Sequence, residues 1–184
     1  GHEFDLLCTG VGMVATAFHL GFLLATTKYA RVINIGIAGS FDKQIPLGTV
    51  VEIVEDQFPE MGVEDGDCFL SLLDLELIQS NDFPYQSGVL TNNSSVWNLS
   101  YPKVKSITVN TAHGNENRIS RTENRFHPQV ESMEGAAFFY ACKFVKVPCV
   151  QIRSISNYVE RRNKSSWDIP LAIQNLNKEI LNLL

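Results

Sequence analysis

Short apolar runs alternate with stretches of helical periodicity along much of this 184-residue chain, and that alternation limits the folds open to it. An apolar run buried on both faces needs helices to cover it, so the pattern predicts an α/β sheet covered on both sides. Strands are predicted at residues 4–9, 32–38, 50–54, 88–91, 104–108, 129–132 and 149–155. Helices are predicted over 13–26, 134–144 and 168–183. In the first, Val14, Ala17, Phe18, Gly21, Leu24 and Ala25 recur at helical spacing. In the last, Asp168 reads as the N-cap, Pro170 lies in the first turn, and Ile173, Leu176, Ile180 and Leu183 form the core stripe. Residues 55–100 are rich in Asp, Asn, Ser and Pro and read as loops with a short helix at 72–79, while 110–126 reads as a polar excursion. With no repeat and no linker, residues 1–184 are expected to form one domain.

Composition narrows the function classes. No segment is long and apolar enough to span a membrane, and 15 basic against 20 acidic residues, without a basic run, argue against a nucleic-acid partner. Cys8, Cys68, Cys142 and Cys149 are too scattered for a zinc set, and Cys8, Cys142 and Cys149 fall in apolar patterns, as buried thiols of a cytoplasmic protein would. The chain begins with Gly1 rather than Met, and its first strand pattern starts at Phe4. The expectation is a tagged chain or one whose beginning is missing.

The polar residues that leave predicted strand ends are the candidate site. Arg153-Ser154-Ile155-Ser156-Asn157 closes the apolar run 147–152 with a guanidinium, two hydroxyls and an amide, at the strand end where α/β enzymes place their chemistry. Glu134 opens a helix directly after a strand, where a carboxylate either steadies the helix dipole or accepts two adjacent hydroxyls. Met133 beside it offers a flexible apolar surface suited to a sugar face. His113 follows a strand among small polar residues and reads equally as a ligand contact or as a plain loop histidine; with no second His nearby it is not a metal candidate. Gly36-Ile37-Ala38-Gly39-Ser40 allows close backbone approach of a ligand or simply makes a crowded turn. Gly10-Val11-Gly12-Met13-Val14-Ala15 matches a dinucleotide turn, but the next strand ends without the acid that such a site needs. A tight strand-to-helix turn is the preferred reading.

Taken together, the segments 33–41, 110–116, 130–137 and 152–163 resemble the nucleoside phosphorylase and nucleosidase superfamily, and within it the futalosine hydrolases of menaquinone biosynthesis. The resemblance runs from Leu6 to the last helix. It implies a three-layer α/β/α nucleoside phosphorylase-like fold with a central mixed sheet, here lacking the family's first strand and the acidic loop that positions water. It further implies that Met133 and Glu134 hold the ribose, that Ser156 and Asn157 lie against the purine, that Arg153 faces the nucleophile side, and that Ala38 and Gly39 line the floor, with His113 as a further contact.

Methylthioadenosine nucleosidases have an aspartic acid at the place of Asn157, which protonates adenine N7. An amide delivers no proton but donates to N7 and O6 of a 6-oxopurine, favouring hypoxanthine as leaving group. Ile37 stands where relatives place a hydroxyl near the nucleophile pocket, which favours water over phosphate. The implied activity is hydrolysis of a 6-oxopurine nucleoside, foremost futalosine. A purine nucleoside phosphorylase, a methylthioadenosine or S-adenosylhomocysteine nucleosidase, and an inactive nucleoside-binding protein remain alternatives. A small-molecule purine nucleoside is the expected ligand, without metal or organic cofactor, in a cytoplasmic homo-oligomer.

Overall fold

The computed structural model describes residues 3–92, 97 and 99–183. The expectation about the chain's start falls on Gly1 and lies outside them, as do residues 93–96 and 98 of the loop-rich stretch. The elements are α1 (Met13–Thr26), β1 (Val32–Ser40), β2 (Val50–Gln57), β3 (Gly62–Asp65), β4 (Cys68–Ser71), β5 (Leu90–Thr91) and β6 (Lys103–Thr108). There follow α2 (Glu116–Phe126), β7 (Val130–Ser132), α3 (Gly135–Phe144), β8 (Cys149–Tyr158), a short 3-10 helix (Lys164–Ser166) and α4 (Ile169–Leu181).

A mixed six-stranded sheet runs in the order β5-β2-β6-β7-β1-β8. β1 pairs in parallel with β8 and antiparallel with β7, β2 pairs in parallel with β6, and β6 in parallel with β7. β2 also pairs antiparallel with β8, from Val50 opposite Ser154 to Ile53 opposite Gln151, so the sheet curls round until these two strands meet. Alternation along β8 sorts its side chains to two faces. Cys149 and Ile155 join Leu20 and Leu24 of α1 and Phe138, Phe139 and Cys142 of α3, whereas Val150 and Ile152 pack against Leu176 and Ile180 of α4. Helices thus cover both faces, as the alternating pattern requires. Among the described residues no helix is long and apolar enough to cross a membrane.

Several elements depart from the sequence reading. Residues 4–9 make no strand: Phe4 and Leu6 are 58% and 86% exposed, Thr9 Oγ1 lies 3.4 Å from Thr16 Oγ1 of α1, and Tyr29, just past that helix, donates its Oη to Asp5 Oδ2 at 2.7 Å. An apolar run becomes a strand only where a ladder partner meets it. Cys8, expected inside that strand, is exposed, as is Cys68, while Cys142 and Cys149 are buried. On α1 the buried stripe is Thr16, Leu20 and Leu24, and Val14 and Phe18 face outward. That helix is apolar nearly all round, so periodicity left its inner face open and packing on α3 chose it. On α4, Ala172, Leu176 and Ile180 are buried and Ile173 is exposed; Asp168 caps as expected, accepting the Leu171 N–H at 3.0 Å.

Residues 72–79 form turns rather than a helix, and a β3–β4 hairpin turning at Gly66 precedes them. The excursion 110–126 contains α2, whose single buried residue, Ile119, left too little apolar period to read; Asn115 caps it by accepting the Arg118 N–H at 3.2 Å.

Candidate active site

The C-terminal ends of β1 and β8 and the start of α3 converge on one place. β1 and β8 run in register until Ala38 opposite Ile155; the next pair is Gly39 opposite Asn157, leaving Ser156 as an extra residue on β8. A bulge of this kind re-aims side chains and recurs next to active sites. Gly39 is flanked by Asn157 on one side and Glu131 on the other. A Cβ there would stand 3.0 Å from Asn157 Nδ2 and 3.1 Å from Val159 Cγ2, so a glycine lets the amide lie against the strand.

Ser156 Oγ lies 2.8 Å from Asn157 Oδ1 and 3.2 Å from the Ala38 carbonyl. Its single proton serves the nearer acceptor, which fixes the carbonyl end of the Asn157 amide. Asn157 Nδ2 donates to the Tyr158 carbonyl at 3.1 Å, using one of its two N–H groups. Asn157 is half-buried, whereas Ser156 and Ala38 are buried.

Glu134 precedes the first residue of α3 and keeps 19% of its side chain exposed. Its Oε1 accepts the Gly12 N–H at 3.1 Å and its Oε2 lies 3.2 Å from Arg153 Nη1. Each oxygen retains a lone pair for an incoming hydroxyl. The Gly10-Val11-Gly12 turn therefore does more than reverse the chain. Gly12, at φ 96, holds a conformation that side chains rarely adopt, and in it the amide points at Glu134. Met133, adjacent to Glu134, is half-buried.

Arg153 is buried behind Glu134, its side chain 3% exposed. Nε donates to Gln151 Oε1 at 3.0 Å and Nη2 to Asn34 Oδ1 at 2.7 Å, while Nη1 is shared between Glu134 and the Ile37 carbonyl. Burial pushes the guanidinium below its ordinary pKa, opposed by Glu134 and Asp56. Gly36 makes room for it: a Cβ there would lie 2.2 Å from Arg153 Nη1.

His113 is brought to the same region but turned inward. Its Nδ1 lies 2.5 Å from Glu131 Oε2, its Nε2 2.9 Å from Thr122 Oγ1, and its backbone N–H donates to Glu131 Oε1 at 3.0 Å. With the ring 3% exposed, it braces Glu131, which borders Gly39.

The sequence reading did not single out Gly12, Asn34, Asp56, Glu131 or Gln151 for this site. Of these, only Glu131 carried a legible signal, an acid inside a predicted strand; Asp56 falls just past the strand predicted at 50–54, which the structure extends to Gln57. Among the described residues no cluster of three or more His, Cys, Asp or Glu stands ready for a metal ion.

Residues 1–184 match the family model of the phosphorylase superfamily. A curated relative, the futalosine hydrolase of Thermus thermophilus, is 26% identical over 187 residues, covering 100% of this chain and 82% of its own length. The 5'-methylthioadenosine/S-adenosylhomocysteine nucleosidase of Glaesserella parasuis is 26% identical over 196 residues, covering 99% and 80%. Among solved structures, the nucleosidase of the latter type from Colwellia psychrerythraea, in complex with adenine, superposes with a TM-score of 0.76 at 22% identity, covering 95% of this chain and 74% of that one. The chain belongs to the phosphorylase superfamily.

Proposed function

We propose that this protein hydrolyses the N-glycosidic bond of a 6-oxopurine nucleoside, with futalosine as substrate and hypoxanthine and dehypoxanthinyl futalosine as products. The observation that carries this reading is the Asn157 amide. Ser156 holds its oxygen and the Tyr158 carbonyl takes one N–H, so the second N–H is the donor left for a ligand. A donor there suits N7 and O6 of an oxopurine and has no proton to give to adenine. Similarity to the Thermus thermophilus futalosine hydrolase supports the same substrate.

Glu134 receives the 2′- and 3′-hydroxyls of the ribose, with Met133 against the sugar face. As the glycosidic bond breaks, its electron pair leaves with the base, where Asn157 stabilises the negative charge; Glu134 orients the ribosyl cation, water forms the new C1′–O bond, and the proton that water sheds neutralises the base as hypoxanthine. Arg153 holds Glu134 rather than touching the sugar, and Ala38 and Gly39 form the floor. His113 contributes by bracing Glu131.

The test is to supply futalosine, inosine and methylthioadenosine with and without phosphate and to measure free base. Hypoxanthine released from futalosine at a rate independent of phosphate is expected. Release of adenine alone, or strictly phosphate-dependent formation of ribose 1-phosphate, overturns the reading. A methylthioadenosine nucleosidase is the second reading, favoured by the equal 26% identity to the Glaesserella parasuis enzyme; Asn157 opposes it.

The same proposal includes self-association in a reducing cytoplasm. Val11, Val14, Phe18 and Phe22, each at least 67% exposed, line the outer side of α1 and its entry, and a contiguous apolar face of this kind favours a subunit contact. The free cysteines support the compartment. Light scattering is expected to give a dimer or larger, and a monomer at micromolar concentration would refute the association.

A further inference from the structure

We propose that Asp56, Gln151 and Arg153 form a one-directional hydrogen-bond relay, in which a carboxylate buried beneath the site fixes the position of Glu134. Asp56 is then a positioning residue. Its functional consequence rests on the reading of Glu134 as the ribose-binding group.

The direction of every bond in this chain is forced. Arg153 has only donors, so Gln151 must turn Oε1 to its Nε, at 3.0 Å. That leaves Gln151 Nε2 to donate to Asp56 Oδ2 at 3.2 Å. Asp56 Oδ1 accepts from the Gln57 N–H and from Thr108 Oγ1, both at 2.9 Å. Thr108 Oγ1 in turn accepts the Ala136 N–H at 2.7 Å, so its own proton is committed to Asp56. At the other end Arg153 Nη1 reaches Glu134 Oε2 at 3.2 Å.

Neither Asp56 nor Gln151 has any exposure, and the space around them is closed. A Cβ on Gly135 would lie 2.2 Å from both Asp56 Oδ2 and Gln151 Oε1, so the amide has no room to swing aside. Well-packed apolar residues stabilise a core as well as buried ionic groups do. A buried carboxylate, amide and guanidinium joined end to end towards a partly exposed acid therefore indicate positioning of that acid.

Asp56→Asn tests the order of donors. Gln57 and Thr108 hold the amide oxygen of the new side chain, so its NH₂ faces that of Gln151, donor against donor. If Gln151 turns over, its NH₂ meets Arg153 Nε–H instead. In D56N/Q151E a carboxylate at position 151 accepts from both neighbours and the relay is whole again.

Two readouts are taken: solvent exchange of the Arg153 Nε–H by ¹⁵N NMR, assigned by its loss in R153K, and kcat/KM on the nucleoside that the protein cleaves. The Nε–H should be protected in the native chain, exchange at least ~10-fold faster in D56N, and regain protection in D56N/Q151E. On the same series kcat/KM should fall roughly 10–100-fold and recover to within about 5-fold of the native value.

Unchanged protection and kcat/KM in D56N, or a double variant no better than the single one, overturns the relay. If D56N does not fold, the double variant decides: a folded protein with a protected Nε–H supports the relay, and failure to fold or to protect overturns it. If the native protein cleaves no nucleoside, the functional reading falls while exchange at Arg153 still decides the relay.

Discussion

Glu134 Oε2 stands 3.2 Å from Arg153 Nη1, a contact between a partly exposed acid at the start of α3 and a buried cation on β8. The other oxygen of Glu134 accepts the Gly12 N–H at 3.1 Å, so the carboxylate is held from two directions before any ligand arrives. Fixing a group in advance of the reaction is how a binding acid contributes to rate as well as affinity.

Glu134→Gln keeps the shape of the side chain but turns an NH₂ towards either the Gly12 N–H or Arg153, donor to donor. Loss of one charged hydrogen bond to the protein and one to the sugar predicts a fall in kcat/KM of about 100-fold. Arg153→Met leaves Glu134 and Asp56 without their shared cation and should cost about 3 kcal/mol in urea unfolding. A kcat/KM within threefold of native in Glu134→Gln would show that the ribose is held elsewhere.

Asn157→Asp exchanges a donor for an acceptor that can carry a proton. The ratio of kcat/KM for methylthioadenosine over futalosine is expected to rise at least ~10-fold. Unaltered selectivity for hypoxanthine nucleosides would mean that the base is read by other residues.

Ser154 lies on β8 with its hydroxyl fully enclosed and no hydrogen-bond partner among the described residues. A buried donor without a partner destabilises a fold by roughly 1–3 kcal/mol. Ser154→Ala should therefore raise stability by about 1 kcal/mol with activity unchanged, as read from urea midpoints and base release. A clear loss of stability would contradict this.

Asp56 is raised from its ordinary 3.8 to about 6, foremost because burial penalises its charged form, with Gln151, Thr108 and Arg153 pulling it back. Because the folded-state value is the higher one, its stabilising contribution is full below pH 3.8 and is lost as pH rises through about 6. The stability of the native chain relative to Asp56→Asn should thus fall by about 3 kcal/mol between pH 3.5 and pH 8. Unfolding free energies of both proteins across that range check it. A constant difference would show that Asp56 titrates alike folded and unfolded.

The features legible in the sequence were local ones. Apolar runs bounded by Gly and Pro located β1, β6 and β8, Asp168 marked the start of α4, and the motifs at 133–134 and 153–157 named the groups proposed to carry chemistry. These signals were legible because period, cap and motif are properties of neighbouring residues. Long-range packing settled which face of α1 turns inward and that residues 4–9 pair with no strand. It also decided that His113 leans on Glu131, and that Gly12, Asn34, Gln151 and Asp56 stand behind Glu134 and Arg153. Those contacts join residues as far apart as Gly12 and Glu134, and they exist only because the sheet curls until β2 meets β8 and the start of α3 is carried over their polar side chains.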